Sequence, residues 1–138
     1  MLKNKIAALA KENLQTFIEV RHHLHENPEL SFCENQTSLF IQDQLSSFGI
    51  PFTIMGRTGV IGLIEGKDPQ SRCIALRADI DALPITEEND ISYKSKNVGV
   101  MHACGHDVHT TCLLGAAKIL LTLKDEWTGT IKLIFQPG

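Results

Sequence analysis

The sequence predicts an α/β fold in which a mixed sheet is flanked by helices. Three observations support this prediction. Apolar residues recur at helical spacing over the first 48 residues, short apolar runs punctuated by glycine follow from 51 to 80, and the last third has a strand–helix–strand order. A chain of 138 residues that is 43% hydrophobic can form one domain with its own core.

Two helices are predicted at the amino terminus. The apolar residues of the first recur three or four positions apart: Ile6, Leu9, Leu14, Phe17, Ile18 and Leu24. It should end before Pro28, which cannot continue a helix. The second should begin at Ser31, because Ser31 and Glu34 have the spacing of a capping box, and should end at Gly49.

Three short strands are predicted next, at 51–55, 60–65 and 72–80, followed by an irregular polar segment over 83–102. A helix over 107–124 and a strand over 130–135 complete the chain. The order strand, helix, strand is typical of a crossover that joins two parallel strands. Ligands of parallel sheets bind beyond the carboxyl ends of the strands, so a functional site is expected at that edge.

Charge and composition exclude several classes of partner. The net charge of −3 and the absence of a dense lysine or arginine stripe argue against binding to nucleic acid or to an anionic membrane. We find no apolar run long enough to cross a bilayer. The four cysteines form no CxxC pair, so free thiols in a reducing cytoplasm are expected. Cys33, Cys73 and Cys112 lie in apolar periodic contexts and are predicted to be core residues.

Cys104 and His106 are the first candidates for metal ligands. They flank Gly105, so both side chains can turn toward one cation, and thiolate and imidazole are ligands of zinc-type ions. A helix amino terminus also favours the thiolate form of cysteine. The alternatives are a small buried hydrophobe for Cys104 and a hydrogen-bonding residue at the helix entrance for His106. Asp107 is equally compatible with an N-cap and with a partner of the ligands.

Asp79 and Asp81 lie at the end of the third predicted strand, near the same edge. They could be turn formers ahead of Pro84, but two carboxylates beside a presumed cation favour a role in the site. Asp81 is the better candidate for orienting a ligand or a catalytic group. His109, one turn into the helix, could contact the ligands or a substrate, although surface exposure is the simpler interpretation.

Three histidines close the first predicted helix: His22, His23 and His25. A cationic side chain suits the carboxyl end of a helix because of the helix dipole. The alternative is a metal cluster, which is the less favoured interpretation.

Three motifs resemble those of the metal-dependent amidohydrolases of the aminoacylase/carboxypeptidase type. They are RHHLHENPELS at 21–31, ALRADIDALP at 75–84 and HACGHD at 102–107. The matching subgroup is that of hippurate hydrolase, N-acetyl-diaminopimelate deacetylase and the indole-acetyl-amino-acid hydrolases. The resemblance covers essentially the whole chain. It implies that residues 1–138 are a single partial domain, the amino-terminal half of a zinc-peptidase-like catalytic domain.

The resemblance also implies site roles and a cofactor. Cys104 and His106 would bind a pair of divalent ions (zinc, manganese, cobalt or nickel), and Asp81 would be the active-site aspartate. In the family a Glu-Glu pair after Gln-Pro provides the general base and a metal ligand. Two further histidine ligands and a lid or dimerisation domain come later. The sequence here ends one residue after Gln136-Pro137.

The implied reaction is metal-assisted hydrolysis of the amide bond of small N-acyl amino acids, peptides or conjugates. Because the base and the remaining ligands are not among these 138 residues, we expect the chain alone to be inactive. A homodimer, or association through surfaces that other segments normally cover, is compatible with the resemblance. Two alternatives remain: a non-catalytic metal-binding or thiol protein, and a structural remnant of such an enzyme.

Overall fold

The computed structural model describes all 138 residues, Met1 to Gly138. The helices are α1 (Leu2–Glu12), α2 (Leu14–Glu26), α3 (Asn35–Phe48) and α4 (His106–Thr122), and a short 3₁₀ turn spans Lys124–Glu126. The strands are β1 (Phe52–Met55), β2 (Gly59–Glu65), β3 (Cys73–Asp79) and β4 (Thr130–Gln136).

The strands form one mixed sheet in the order β1-β2-β4-β3. β2 pairs antiparallel with both β1 and β4, whereas β3 pairs in parallel with β4. The crossover from β3 to β4 contains α4, as the sequence predicts. The predicted α/β fold with a mixed sheet is therefore confirmed.

The core lies between the sheet and the helices. Alternate residues of β2 and β4 are buried, among them Ile64 and Phe135, while Glu65 and Lys132 on the same strands are exposed. The helices contribute other large buried apolar side chains, among them Ile41, Leu45 and Leu114. No helix is both long enough and apolar enough to cross a membrane.

The first predicted helix is divided into α1 and α2 at Asn13. The Asn13 side-chain amide donates a hydrogen bond to the Leu9 carbonyl at 2.8 Å, a local interaction that competes with regular helix geometry. Helical periodicity continues across the break, which explains why the pattern predicts one helix.

The predicted capping box is wrong. α3 begins at Asn35, four residues after Ser31. The free amides at the start of α3 instead donate hydrogen bonds to Glu29. The amide of Gln36 donates to one carboxylate oxygen at 3.1 Å, and the amide of Thr37 donates to the other at 2.7 Å. A side chain from outside the helix therefore supplies the cap, an arrangement that local spacing does not reveal.

The prediction that three cysteines are core residues is also wrong. Cys33, Cys73 and Cys112 are exposed, as is Cys104, and all four are free. Cys73 begins β3, which is an edge strand, and Cys33 lies in the turn before α3. Apolar neighbours along the sequence do not reveal that β3 is an edge strand and that no further strand covers it.

We expect Glu29→Ala to destabilise the protein by about 1 kcal/mol, because it removes the acceptor of the first amides of α3. Urea denaturation followed by circular dichroism measures the loss. Glu12→Ala, at an exposed position on α1, is the control and should change stability by less than about 0.5 kcal/mol. Equal effects of the two substitutions would contradict the capping role.

Two glycine-to-alanine substitutions should change the free energy of unfolding in opposite directions. Gly105 precedes α4 with φ of +82°, and a Cβ there would meet no other atom within 4 Å, so Gly105→Ala should cost about 1–2 kcal/mol through backbone strain alone. Gly115 lies inside α4, where a Cβ would touch Phe17 at an ordinary 3.7 Å, so Gly115→Ala should stabilise by up to about 1 kcal/mol. Thermal unfolding of both variants tests the difference, and two shifts of the same sign would refute it.

Candidate metal centre at the carboxyl edge of the sheet

The parallel pairing of β3 with β4 builds one edge of the molecule. Asp79 ends β3 opposite Gln136 at the end of β4, and the amide of Ile80 donates to the Gln136 carbonyl at 3.1 Å. α4 begins against this edge, where the Thr110 hydroxyl donates to the Asp79 carbonyl at 3.0 Å. The carboxylates after β3 and the first turn of α4 are thereby brought together, as the strand–helix–strand order predicts.

His106, the first residue of α4, is held by Asp81 through one ring nitrogen. Its Nδ1 lies 2.8 Å from Asp81 Oδ1 and 2.9 Å from the Asp81 carbonyl oxygen. Both oxygens accept, so Nδ1 is the donor, and a neutral ring then carries its lone pair on Nε2. An imidazole fixed by a carboxylate on one nitrogen and free on the other is the usual arrangement of a histidine metal ligand.

Asp79 faces the free nitrogen of His106. Its Oδ2 is 3.4 Å from His106 Nε2, and its Oδ1 accepts a 2.7 Å hydrogen bond from His109 Nδ1. Donor atoms of these three residues all lie within 4.8 Å of one another. Burial raises the pKa of Asp79, but the hydrogen bond from His109 and the attraction of a protonated His106 outweigh burial, so the pKa lies below its usual value. His109 is exposed, as the simpler interpretation expects, and it also contacts Asp79.

Asp81 is fixed on its second oxygen by Ser31, whose hydroxyl donates to Oδ2 at 2.7 Å. Burial raises the pKa of Asp81, but the hydrogen bonds from Ser31 and His106 lower it below its usual value. The sequence pattern predicts a helix cap at Ser31 and misses its contact with the site. Since 50 residues separate Ser31 from Asp81, no local pattern could have shown this contact.

Glu34 fixes the last residue, Gly138, through a hydrogen bond. Its side chain is fully buried, and it accepts hydrogen bonds from the amide of Gly138 at 2.9 Å and from the Thr58 hydroxyl at 3.0 Å. A Cβ on Gly138 would clash with the Ser31 side chain, so a larger residue at this position would displace Ser31. The sequence signal at Glu34 is its spacing from Ser31, which suggests the second half of a capping box instead of this contact.

Asp107 points away from the edge and into the protein. It is buried, its Oδ2 lies 2.7 Å from His25 Nδ1 and 3.0 Å from Arg21 Nε, and the N-cap position of α4 is occupied by Gly105. The N-cap interpretation of Asp107 is therefore wrong. His25 does lie in the last turn of α2, but it is only 3% exposed and bonds to two carboxylates, so it is not a solvated cation at a helix end.

Cys104 and His102 lie in the turn before α4. Cys104 is exposed, and it lies outside the group formed by Asp79, His106 and His109. His102 is 5% exposed, and neither of its ring nitrogens has a hydrogen-bond partner. Burial lowers the pKa of His102 to about 4, against the opposing charge of Asp107. Sequence reasoning did not single out His102, although it lies in the alternation His-x-Cys-x-His that contains Cys104 and His106.

The donor set fits a divalent transition-metal ion. His106 offers an oriented ring with an available nitrogen, and Cys104, two residues earlier, offers an exposed sulfur that lies outside the group of Asp79, His106 and His109. Thiolate, imidazole and carboxylate are the three ligand types of zinc sites. Two aspartates with lowered pKa values give the edge a negative charge that favours a cation.

Stability should depend on the ionisation of Glu87, which is buried beside His25. Burial raises the pKa of Glu87, but hydrogen bonds from His25, from the Ser95 amide and from Asn89 lower it to about 2. Because the folded pKa lies below the unfolded value of 4.5, the carboxylate stabilises the fold above pH 4.5. This contribution is lost as the pH falls from 4.5 toward 2.

We therefore expect Glu87→Gln to lower the free energy of unfolding by about 1–3 kcal/mol at pH 7, and the difference from wild type to shrink below pH 4.5. Urea denaturation at a series of pH values measures both quantities. Glu88→Gln, at the exposed neighbouring position, is the matched control. A difference that stays constant from about pH 7 to about pH 2 would show that the ionised carboxylate is not responsible.

Comparison with known proteins identifies relatives over nearly the whole chain. N-acyl-L-amino acid amidohydrolase of Geobacillus stearothermophilus is 47% identical over 137 residues, which are 99% of this chain and 37% of the relative. N-acetyl-L-cysteine deacetylase of Bacillus subtilis is 47% identical over 144 residues, which cover 98% of this chain and 34% of that protein. The chain thus spans about a third of the length of these relatives.

The fold has a close counterpart among solved structures. The crystal structure of the Bacillus subtilis protein YXEP, described as a dinuclear metal-binding peptidase of the M20 family, superposes with a TM-score of 0.88 at 44% identity. The superposition covers 93% of this chain and 36% of the other. Residues 75–138, which contain the candidate metal centre, match peptidase family M20/M25/M40. The resemblance found in the three motifs is thereby confirmed: residues 75–138 belong to a peptidase M20 family domain, and the chain corresponds to the amino-terminal part of relatives named as an amidohydrolase and a deacetylase.

Proposed function

We propose that the protein containing this chain hydrolyses the amide bond of small N-acyl amino acids, with Cys104 and His106 as ligands of a divalent cation. The observation that carries the proposal is the 2.8 Å contact between His106 Nδ1 and Asp81 Oδ1, which leaves Nε2 available. The names of the relatives, an N-acyl-amino-acid amidohydrolase and an N-acetylcysteine deacetylase, support the substrate class.

A bound cation would supply a Lewis acid that activates water and polarises the acyl carbonyl. The residues of this chain prepare its site. Asp81 sets the tautomer and the ring plane of His106, and Ser31 holds Asp81 in place. Asp81 thus acts through His106, which is the role we propose for the predicted active-site aspartate.

Asp79 and His109 complete this edge of the site. Asp79 places a negative charge 3.4 Å from His106 Nε2, and the hydrogen bond from His109 fixes the direction of that carboxylate. We propose that both act on the cation or on a substrate bound beside it. No glutamate follows Gln136-Pro137 within these residues, so we assign no general base among them.

The proposal includes a pair of metal ions in the complete enzyme, drawn from zinc, manganese, cobalt and nickel. The description of the YXEP protein as dinuclear supports the pair.

A reducing, cytoplasmic location is supported by the four free cysteines. Residues 1–138 alone would associate through the open edge of β3, where Ile74 is 51% exposed. We propose no nucleic-acid or membrane partner, since the net charge is −3.

The metal role predicts cobalt binding by residues 1–138 with absorption from a cobalt–thiolate bond. Cys104→Ser should abolish that absorption, and Asp81→Ala should weaken binding by about 10–100-fold, because it releases the His106 ring. Cys112→Ser, which removes another exposed thiol, is the matched control. Absorption that survives Cys104→Ser would exclude Cys104 as a ligand.

The proposed hydrolysis is measured as the release of free amino acid from an N-acetyl amino acid in the presence of zinc, manganese, cobalt or nickel. Residues 1–138 alone should give no turnover. A longer protein that contains them should be active, and Cys104→Ser should reduce its activity by at least about 100-fold. Turnover by residues 1–138 well above their Cys104→Ser variant would overturn the predicted inactivity. Metal binding without turnover by the longer protein would favour the non-catalytic alternative.

A further inference from the structure

We propose that His25 is a positioning residue that fixes the first turn of α4, and with it His106, from the interior of the protein. His25 is only 3% exposed, and both of its ring nitrogens face carboxylates. Nδ1 lies 2.7 Å from Asp107 Oδ2, and Nε2 lies 3.0 Å from Glu87 Oε1. The ring is therefore held at both ends by oxygen atoms that accept hydrogen bonds.

His25 joins three parts of the chain that are distant in sequence. It belongs to α2, Glu87 belongs to the irregular segment between β3 and α4, and Asp107 belongs to the first turn of α4. Arg21, one turn earlier on α2, places its Nε 3.0 Å from the same Asp107 oxygen. The Tyr93 ring packs on this group, 4.9 Å from the Arg21 guanidinium and edge-on to His25.

Glu87 is itself immobilised from the opposite side. Its Oε2 accepts a 2.7 Å hydrogen bond from the Ser95 amide, and its Oε1 accepts one of 3.1 Å from Asn89. The His25 ring is therefore clamped at Nε2, and its other nitrogen can transmit that constraint to Asp107. A carboxylate free to move would give no such constraint.

Asp107 is the residue next to His106, and the two side chains are held from different directions. Asp81 holds the His106 ring at the edge of the sheet, while His25 holds the Asp107 carboxylate inside the protein. Together the two contacts leave the first turn of α4 little freedom to rotate or slide. Accurate ligand placement depends on such supporting contacts behind the ligands.

Core stability alone does not account for this group of charges. Burying two carboxylates with a histidine and an arginine is often no more stabilising than packing apolar side chains in the same volume. Hydrogen bonds of 2.7 and 3.0 Å at the two ends of one ring instead impose a direction on each partner. A fixed direction for Asp107 helps to orient His106, the residue before it. That Asp107 is fixed follows from the contacts alone, whereas the benefit for metal binding rests on the proposed function.

Two substitutions of His25 separate positioning from general stability. Asparagine places its amide nitrogen near the position of Nδ1 and can keep the bond to Asp107, whereas glutamine places its amide nitrogen near Nε2 and can keep only the bond to Glu87. Hydrogen exchange of the Val108 and His109 amides, which both bond to the Gly105 carbonyl, reports on the first turn of α4. We expect exchange there to rise by about tenfold in His25→Gln and by less than about threefold in His25→Asn.

The amide of Leu133, in the centre of the sheet, should change by less than about twofold in both variants. His23→Gln, at an exposed position on the same helix, is the matched control and should leave all these amides unchanged. Equal exchange at Val108 and His109 in the Gln and Asn variants, or a parallel rise at Leu133, would overturn the proposal.

A measurement that leaves His25 unchanged covers the case in which a His25 variant fails to fold. In nitrogen spectra of the histidine rings, Asp107→Asn should shift the signals of both His25 and His106, because Asp107 contacts the His25 ring and precedes Val108 in the first turn of α4. A His106 signal that does not change in Asp107→Asn would refute positioning.

Cobalt binding connects the inference to the proposed function. His25→Gln should raise the dissociation constant by about 10–100-fold, and His25→Asn should raise it less. If wild-type residues 1–138 bind no cobalt, the metal proposal fails, while the exchange and ring spectra still decide the role of His25. If cobalt binds equally to wild type and to His25→Gln, the positioning proposal fails alone.

Discussion

The parallel pairing of β3 with β4 is the constraint on which the site depends. Parallel neighbours require a crossover, and the crossover here contains α4. The carboxyl ends of both strands and the amino end of α4 consequently meet at one edge. Asp81 and His106 are 25 residues apart along the chain, yet this topology brings them within hydrogen-bonding distance, with Asp79 beside them.

The segment between α2 and α3 braces that edge. Ser31 bonds to Asp81, Glu34 bonds to the amide of Gly138, and Glu29 caps α3 so that the segment itself has a fixed position. Through Ser31, the first motif therefore supports Asp81 of the second motif. A mutation in this segment would disturb the candidate metal centre through Asp81.

Much of the fold followed from local patterns, because the spacing of apolar residues and the positions of glycine and proline are properties of neighbouring residues. The β3–α4–β4 unit is an example: apolar runs, a glycine before the helix and a helical pattern over 107–124 were enough to place Asp81 and His106 at one edge. The errors concern contacts that span long stretches of chain. Local patterns place Ser31, Glu34 and His25 at the ends of helices, whereas their partners lie 50, 104 and 82 residues away.

The sequence by itself determined the class of fold, the family and the residue types that a cation could use, since motif spacing and hydrophobic period are written along the chain. Only the tertiary structure decided which side chains support those residues. Burial removed His25, Glu34 and Asp107 from water, and each of these three side chains has a hydrogen-bond partner from a distant part of the chain. Those partners are set by the packing of α2, α4 and the sheet, which no local segment of the sequence contains.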